Sequence, residues 1–233
     1  MRLLAYFILF LFARTASGQD SLRNIDVKQI PQKKIRLFIH KHILANHARF
    51  SDLHMEYNHL SDSGTYSRVE QRFILKEKIA SVWNAYSSFH PAEIWNGKLI
   101  TYGVSFSANA KNICYRGSQN SRIDTGEIIL LNLSLLKGTV NLAVGIEITS
   151  IDSLKQCLEF CYINGDISKG IQRIQLVTTA EGYTQVIHTS LFKSKSAFRD
   201  RYIYPFFHRR TVNEFHKNMR ELVYSRQISA SAT

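Results

Sequence analysis

Residues 139–151 read TVNLAVGIEITSI. Val140, Leu142, Val144, Ile146 and Ile148 take alternate positions, with Asn141, Gly145, Glu147 and Thr149 between them. A period of two is the mark of a strand that turns one face to a core and the other to water. The turn ahead of it contains Lys137-Gly138.

The same pattern repeats on both sides. Upstream, Ile129, Leu131, Leu133 and Leu135 alternate within 127–136, and Ile100, Tyr102, Val104 and Phe106 alternate before that. Downstream, Leu158, Phe160 and Tyr162 line one face of 154–163, with Cys157, Glu159 and Cys161 on the other. Segments 170–179 and 183–192 complete the series. Asn96-Gly97, Asn164-Gly165 and Glu181-Gly182 supply turns. This predicts a meander of long antiparallel strands with one buried face. His188 lies mid-strand, and either Val186/Phe192 or Ile187/Leu191 can form its inner set.

The flanks read differently. Residues 69–78 form a strand with Val69, Phe73 and Leu75 on one side. Residues 79–89 form a helix that groups Ile79, Val82, Trp83 and Tyr86, and Pro91 opens a short second helix through Trp95. A closing helix is predicted over 204–226. Its wheel places His208, Val212, Phe215, Met219, Leu222 and Val223 on one face, and Arg209, Arg210, Asn213, Glu214, Lys217 and Glu221 largely elsewhere.

The N-terminus carries an address. Met1-Arg2 is followed by an unbroken apolar run from Leu3 to Phe12, closed by Arg14 and then by the small residues Ala16-Ser17-Gly18. A bilayer core needs about 20 apolar residues, and this run is half that. The pattern predicts a signal peptide over 1–18, cleavage before Gln19, and a secreted or periplasmic protein. No later stretch is apolar enough to span a bilayer. Residues 19–34 are polar and basic and read as a loose arm. From Ile35 to Tyr57 the pattern turns helical, with Ile35, Phe38, Ile39, Ile43 and Leu44 in one stripe. Residues 61–66 read as a turn, and 227–233 as a disordered tail.

The formal net charge is +12, and loss of Arg2 and Arg14 with the leader would lower it by two. A basic exported protein is drawn to anionic envelope surfaces. Nucleic acid is not expected, because Lys and Arg are scattered rather than set in a stripe with aromatics. His40, His42, His47, His54 and His59 fit no ligand spacing and read as surface residues, so no metal is expected, and no cofactor. Cys157 and Cys161, four apart on a strand, would sit about 13 Å apart, too far for a disulfide. Three unpaired cysteines are expected; the alternative is a single bridge from either to Cys114, leaving one thiol free. Asn132-Leu133-Ser134 is a glycosylation sequon. No nucleophile elbow, phosphate loop or metalloprotease motif is present.

Strand, two short helices, meander and long amphipathic helix together resemble the START-like superfamily, which includes the birch-pollen-allergen and polyketide-cyclase types. The resemblance rests on Val69–Lys78, the helix start Ile79-Ala80-Ser81-Val82-Trp83-Asn84-Ala85-Tyr86 and the closing helix, and spans about 68–226. It implies an α+β helix-grip fold in which a curved sheet wraps the last helix around an apolar cavity, with 19–67 as an N-terminal extension. It implies a hydrophobic ligand, and it supplies no catalytic residues.

On that plan, Tyr102, Phe160, Tyr162, Tyr204, His208, Val212, Phe215 and Met219 are the candidate ligand contacts. His208 and His188 are the candidate catalytic groups, since a buried histidine can serve as acid or base. Tyr202, Tyr204, Phe206 and Phe207 either stand at the cavity mouth or plug the core end while Arg199 and Asp200 cap and pair. The leading expectation is an exported binding or carrier protein for a lipid-like or polyketide-like molecule. The alternatives are a cyclase, hydrolase or isomerase using the same cavity, and a basic envelope protein without a ligand.

Overall fold

The structure, a computed structural model, describes residues 20–53, 55, 57, 66–118, 122–163 and 168–231. The predicted leader and its cleavage junction, His54, His59, most of the 61–66 turn and the Asn164-Gly165 turn lie outside them.

Eight strands form one antiparallel sheet: β1 (Ser67–Leu75), β2 (Ile100–Ser107), β3 (Asn112–Tyr115), β4 (Ile128–Leu135), β5 (Val140–Asp152), β6 (Cys157–Tyr162), β7 (Lys169–Thr178) and β8 (Thr184–Lys193). Their order is β1-β8-β7-β6-β5-β4-β2-β3, so the strand before the two short helices pairs with the last strand of the meander. The helices are α1 (Lys33–Leu44), α2 (Ile79–Tyr86), α3 (Pro91–Ile94) and α4 (Tyr204–Ser231). The architecture is the helix-grip α+β fold that the element order implied. Helix α4 runs through 227–231, where the sequence suggested a tail. No helix among the described residues is long and apolar enough to cross a membrane.

The inner face of the sheet holds the main core. Ile129, Leu131, Ile146, Ile148, Leu158, Phe160, Tyr162, Ile174, Leu176 and Val186 meet Phe215, Met219 and Val223 of α4, with α2 and α3 closing one end. The helix face drawn from the sequence is the buried one, and Arg209 is exposed. Three polar clamps fix α4. Glu214 accepts from the backbone N–H groups of Lys98 (2.7 Å), Leu99 (2.8 Å) and Ile100 (2.9 Å). Asn218 donates to the Ile94 carbonyl (2.7 Å). Arg226 donates to the carbonyls of Asn84 and Ser88. A Cβ at Gly97 would stand in the Glu214 carboxyl group, so the turn needs glycine for close approach.

The outer face differs from the one-sided reading. Residues 20–34 are not a loose arm. Leu22, Ile25 and Ile30 are buried, and with Ile35, Phe38, Ile39, Phe50 and Leu53 they cover Val104, Phe106, Ile128 and Leu130. Helix α1 stops at Leu44, which is 69% exposed, and His42 is buried rather than on the surface, donating through Nδ1 to the Phe38 carbonyl (2.9 Å). A bulge explains why β2 serves both cores. Tyr102 pairs with Leu131 but Val104 pairs with Leu130, so the alternation flips within the strand. Ile100 and Tyr102 face inward, and Val104 and Phe106 face outward.

Candidate functional site

Between α4 and the inner face of β4–β7 the packing leaves a cavity of about 400 Å³. Most of its wall is aliphatic or aromatic, including Leu131, Leu133, Leu142, Val144, Val212 and Phe215. Of the predicted contacts, Phe160, Tyr162, Tyr204, His208, Val212 and Phe215 line it, as does His188. Tyr102 and Met219 do not. Met219 is fully buried in the core behind the cavity. The Tyr102 hydroxyl is spent on the Cys114 carbonyl (2.5 Å) and Ser105 Oγ (3.0 Å).

The polar groups of the wall gather at one end, where a hydrogen-bonded chain crosses the core. Tyr86 Oη meets His216 Nδ1 (2.7 Å), and His216 Nε2 meets His188 Nδ1 (2.8 Å). His188 Nε2 meets Gln172 Oε1 (2.9 Å), and Gln172 Nε2 donates to Tyr162 Oη (2.9 Å). Tyr162 Oη lies 2.5 Å from Tyr204 Oη. On a branch, Ser190 Oγ lies 2.6 Å from His208 Nε2. Sheet geometry sets this up. Val186, His188, Ser190 and Phe192 form the inner set of β8, which settles the facing of His188. Gln172 pairs with Ser190 on the neighbouring strand.

Burial holds the three imidazoles neutral near pH 7. It pushes His208 down to about 4 and His216 down to about 3, the latter helped by the Arg220 charge. His188 is held well below the usual range by burial and then by its two histidine neighbours. Burial likewise raises the phenols of Tyr86 and Tyr204. Neutral imidazoles have one donor and one acceptor, so the polarity of the chain follows from its ends. Gln172 Oε1 can only accept, so His188 carries its proton on Nε2. His216 then also carries its proton on Nε2, and Tyr86 donates. Turning the Gln172 amide over would reverse every bond and leave the hydrogen of fully buried Tyr86 without an acceptor among the described residues. Gln172 donates to Tyr162, and the chain ends in the bond shared by the Tyr162 and Tyr204 hydroxyls at the cavity wall, in which either can be the donor.

Sequence reading found His188 and His208 but not the chain. His216 lies on the flank of the apolar stripe of 204–226, and Gln172 carries no sequence signal of its own. Strand alternation in 170–179 could have set Gln172 inward with Ile174 and Leu176. Among the described residues, no cluster of His, Cys, Asp or Glu is arranged to hold a metal ion, and no disulfide joins the three buried cysteines. The Asn132 amide of the sequon is buried in the sheet, donating to Asn141 (3.2 Å).

The segment ahead of α4 answers the mouth-or-plug question. Tyr204 and Phe207 line the cavity, while Tyr202 and Phe206 are 56% and 51% exposed. They do not plug the core. Asp200 is buried and accepts from the backbone N–H (2.7 Å) and hydroxyl (2.6 Å) of Ser194. Arg199 reaches Ser168 at the cavity wall.

No protein-family model matches the chain, and no curated protein matches it. Solved structures do resemble it. Norcoclaurine synthase from Thalictrum flavum in complex with dopamine and hydroxybenzaldehyde is 13% identical, with a TM-score of 0.50, over 74% of this chain and 96% of that one. A point mutant of the same synthase in complex with a transition-state analogue is 12% identical, with a TM-score of 0.51, over 70% and 97%. At such identities the likeness is one of fold, and the fold is the START-like, birch-pollen-allergen type implied by the sequence.

Proposed function

We propose that this protein binds an apolar small molecule that carries one hydrogen-bonding group. The observation that carries the reading is the cavity of about 400 Å³, with an aliphatic body and its polar groups collected at one end. Such sites are typical of small-molecule binding, where apolar area gives affinity and a few polar groups give orientation. The ligand's body packs on Leu131, Leu133, Leu142, Val144 and Val212. Its polar group hydrogen-bonds to the Tyr204 hydroxyl. Native mass spectrometry of the purified protein should show an adduct that organic extraction removes, and Tyr204→Phe should weaken rebinding of the extracted molecule. A protein that carries no adduct and raises no fluorescence from an apolar dye would refute the reading.

A second reading has its own support. Among the described residues the cavity wall has no Asp, Glu or Lys, and the groups there that could pass a proton are Tyr162, Tyr204, His188 and His208. The synthase of the same fold is an enzyme by name and was captured with dopamine and hydroxybenzaldehyde. General acid catalysis by Tyr204 on a carbonyl substrate is the form this would take here, and the mass of the extracted molecule, changed or unchanged on incubation, separates the two.

Export is part of the proposal. It is supported by the apolar run at 3–12 and the small residues at 16–18. Protein recovered outside the cytoplasm of its host should begin at Gln19, and an intact Met1 there would overturn it.

A further inference from the structure

The cavity mouth has two lips, and both are apolar and basic. One is the link from β8 into α4. Phe198 is 65% exposed, Tyr202 56%, Phe206 51% and Ile203 43%. Residues 193–210 carry six cations, Lys193, Lys195, Arg199, Arg201, Arg209 and Arg210, against a single acid. That acid, Asp200, is buried and bound to Ser194. The other lip is the β4–β5 turn, where Leu136 and Val140 are 59% and 37% exposed and Lys137 stands between them. Leu136, Val140 and Ile203 are at once surface residues and cavity wall, so they stand at the opening, with Phe198, Tyr202 and Phe206 near Ile203 in the same segment.

Such a patch is unusual on a free surface, where large side chains normally stand singly. Here the cations sit directly on the aromatics. The Arg210 guanidinium lies 4.3 Å from the centre of the Phe206 ring, and that of Arg201 5.4 Å from Tyr202. Aromatic rings with cations at their edges are the composition of a membrane interface, where rings settle among the headgroups and Lys or Arg meets lipid phosphate. A protein groove would also accept aromatics, but it gives no reason for five exposed cations, Lys193, Lys195, Arg201, Arg209 and Arg210, around one acid turned inward.

We infer that the cavity mouth is a docking face for an anionic phospholipid bilayer, with Phe198, Tyr202 and Phe206 entering the headgroup layer and the surrounding Lys and Arg paired to lipid phosphate. This adds a partner to the binding reading and does not depend on it, because the face can dock whether or not the cavity is filled.

The test uses the full chain, with every variant in the same chain so that residues 3–12 contribute equally. Phe206→Trp places a reporter in the patch, and the native Trp83 and Trp95 are buried. Its emission should shift to the blue on mixed phosphatidylglycerol–phosphatidylcholine vesicles, stay put on phosphatidylcholine alone, and relax as salt is raised. In sedimentation, the combined Phe198→Ser, Tyr202→Ser and Phe206→Ser variant should lose about tenfold or more of its partition to anionic vesicles. Each cation near the surface contributes roughly fivefold, so reversing Arg201, Arg209 and Arg210 to Glu should abolish it. Unshifted emission on anionic vesicles, or equal partition of the serine variant, overturns the inference. So does vesicle-free self-association of the wild type that the serine variant removes, which would make the patch an interface between copies. Unchanged dye binding to the cavity in both variants would keep this outcome separate from the fate of the ligand reading.

Discussion

On the outer face of the sheet, a Cβ added at Gly103 would lie 2.3 Å from Ile35 Cδ1, and one added at Gly145 2.2 Å from Ile163 Cδ1. On the inner face, Leu133, Leu142 and Val144 look into a cavity of about 400 Å³. The same sheet is packed shut on one side and left open on the other. Outside, glycine brings the backbone close to its cover, and Phe50 stacks on Phe106 with ring centres 4.4 Å apart. Inside, the helix is held away by its polar clamps and the space between is lined but not filled. Interiors otherwise pack at crystal density, so a space retained under a clamped helix is where a ligand finds room. The N-terminal layer then has a plain role, since it anchors the back of a sheet whose front is incompletely packed.

The largest expected effects come from cutting a large side chain on either face. Phe50→Ala outside and Phe215→Ala inside should each cost about 3–5 kcal/mol in urea unfolding, as for other buried aromatics. They should part on ligand binding. Phe215 is cavity wall and Phe50 is not, so only Phe215→Ala should change affinity beyond what its stability loss explains. Equal effects on binding would erase the distinction between the faces.

Acid should act next, through the inner face. His188, His208 and His216 are held below their ordinary value of 6.5. The stability they support is present above pH 6.5. It is lost as pH falls toward about 4 for His208 and about 3 for His216, because the unfolded chain takes up protons that the fold refuses. Each unit is worth about 1.4 kcal/mol. Glu127 runs the other way. Burial pushes it up to about 7, so its contribution is present below about 4.5 and is lost as pH rises through 7. Three groups outweigh one, and the urea midpoint should fall steeply below pH 6.5. Glu127→Gln should raise it at pH 8 and leave it unchanged at pH 4. A midpoint flat from pH 7 to 4 would mean that the buried chain is charged or wet.

A smaller effect tests the outer face alone. Gly145→Ala should destabilise by about 1–3 kcal/mol through overpacking against Ile163, with ligand affinity unmoved. If it stabilised the protein, as glycine replacement does where there is room, the outer layer would be looser than drawn.

The inner face was the legible one. Alternation in 139–151 and 154–163 and the stripe on 204–226 place strands, helix and most of the cavity wall, because one-sided burial writes a period into the sequence. Two-sided burial does not. Ile128 and Leu130 face the outer layer while Ile129 and Leu131 face α4, and a strand apolar on both sides reads only as apolar. The bulge at Gly103–Val104 likewise hid itself, since Ile100, Tyr102, Val104 and Phe106 alternate without a break in the text. Residues 20–34 looked loose because three isolated apolar side chains, Leu22, Ile25 and Ile30, have no period. Nor could spacing reveal the buried chain, whose members come from α2, β6, β7, β8 and α4.

The smallest expected effect is the sharpest check on the helix that divides cavity from solvent. His208 and Arg209 are neighbours in sequence, yet His208 is 8% exposed and Arg209 lies outside. Arg209→Ala should stay within about 0.5 kcal/mol of the parent in unfolding, and His208→Ala should not, since it leaves buried Ser190 Oγ with only its 3.5 Å contact to Gln172 Oε1. Measuring both in one buffer cancels any shared change in helix propensity, so their difference reads orientation alone. Equal losses would mean α4 is rotated about its axis. That rotation would carry Tyr204, Val212 and Phe215 off the cavity wall and Arg209 off the docking face together. A near-silent Arg209→Ala that still weakens binding to anionic vesicles would therefore fix the rotation of α4 by two unrelated measurements.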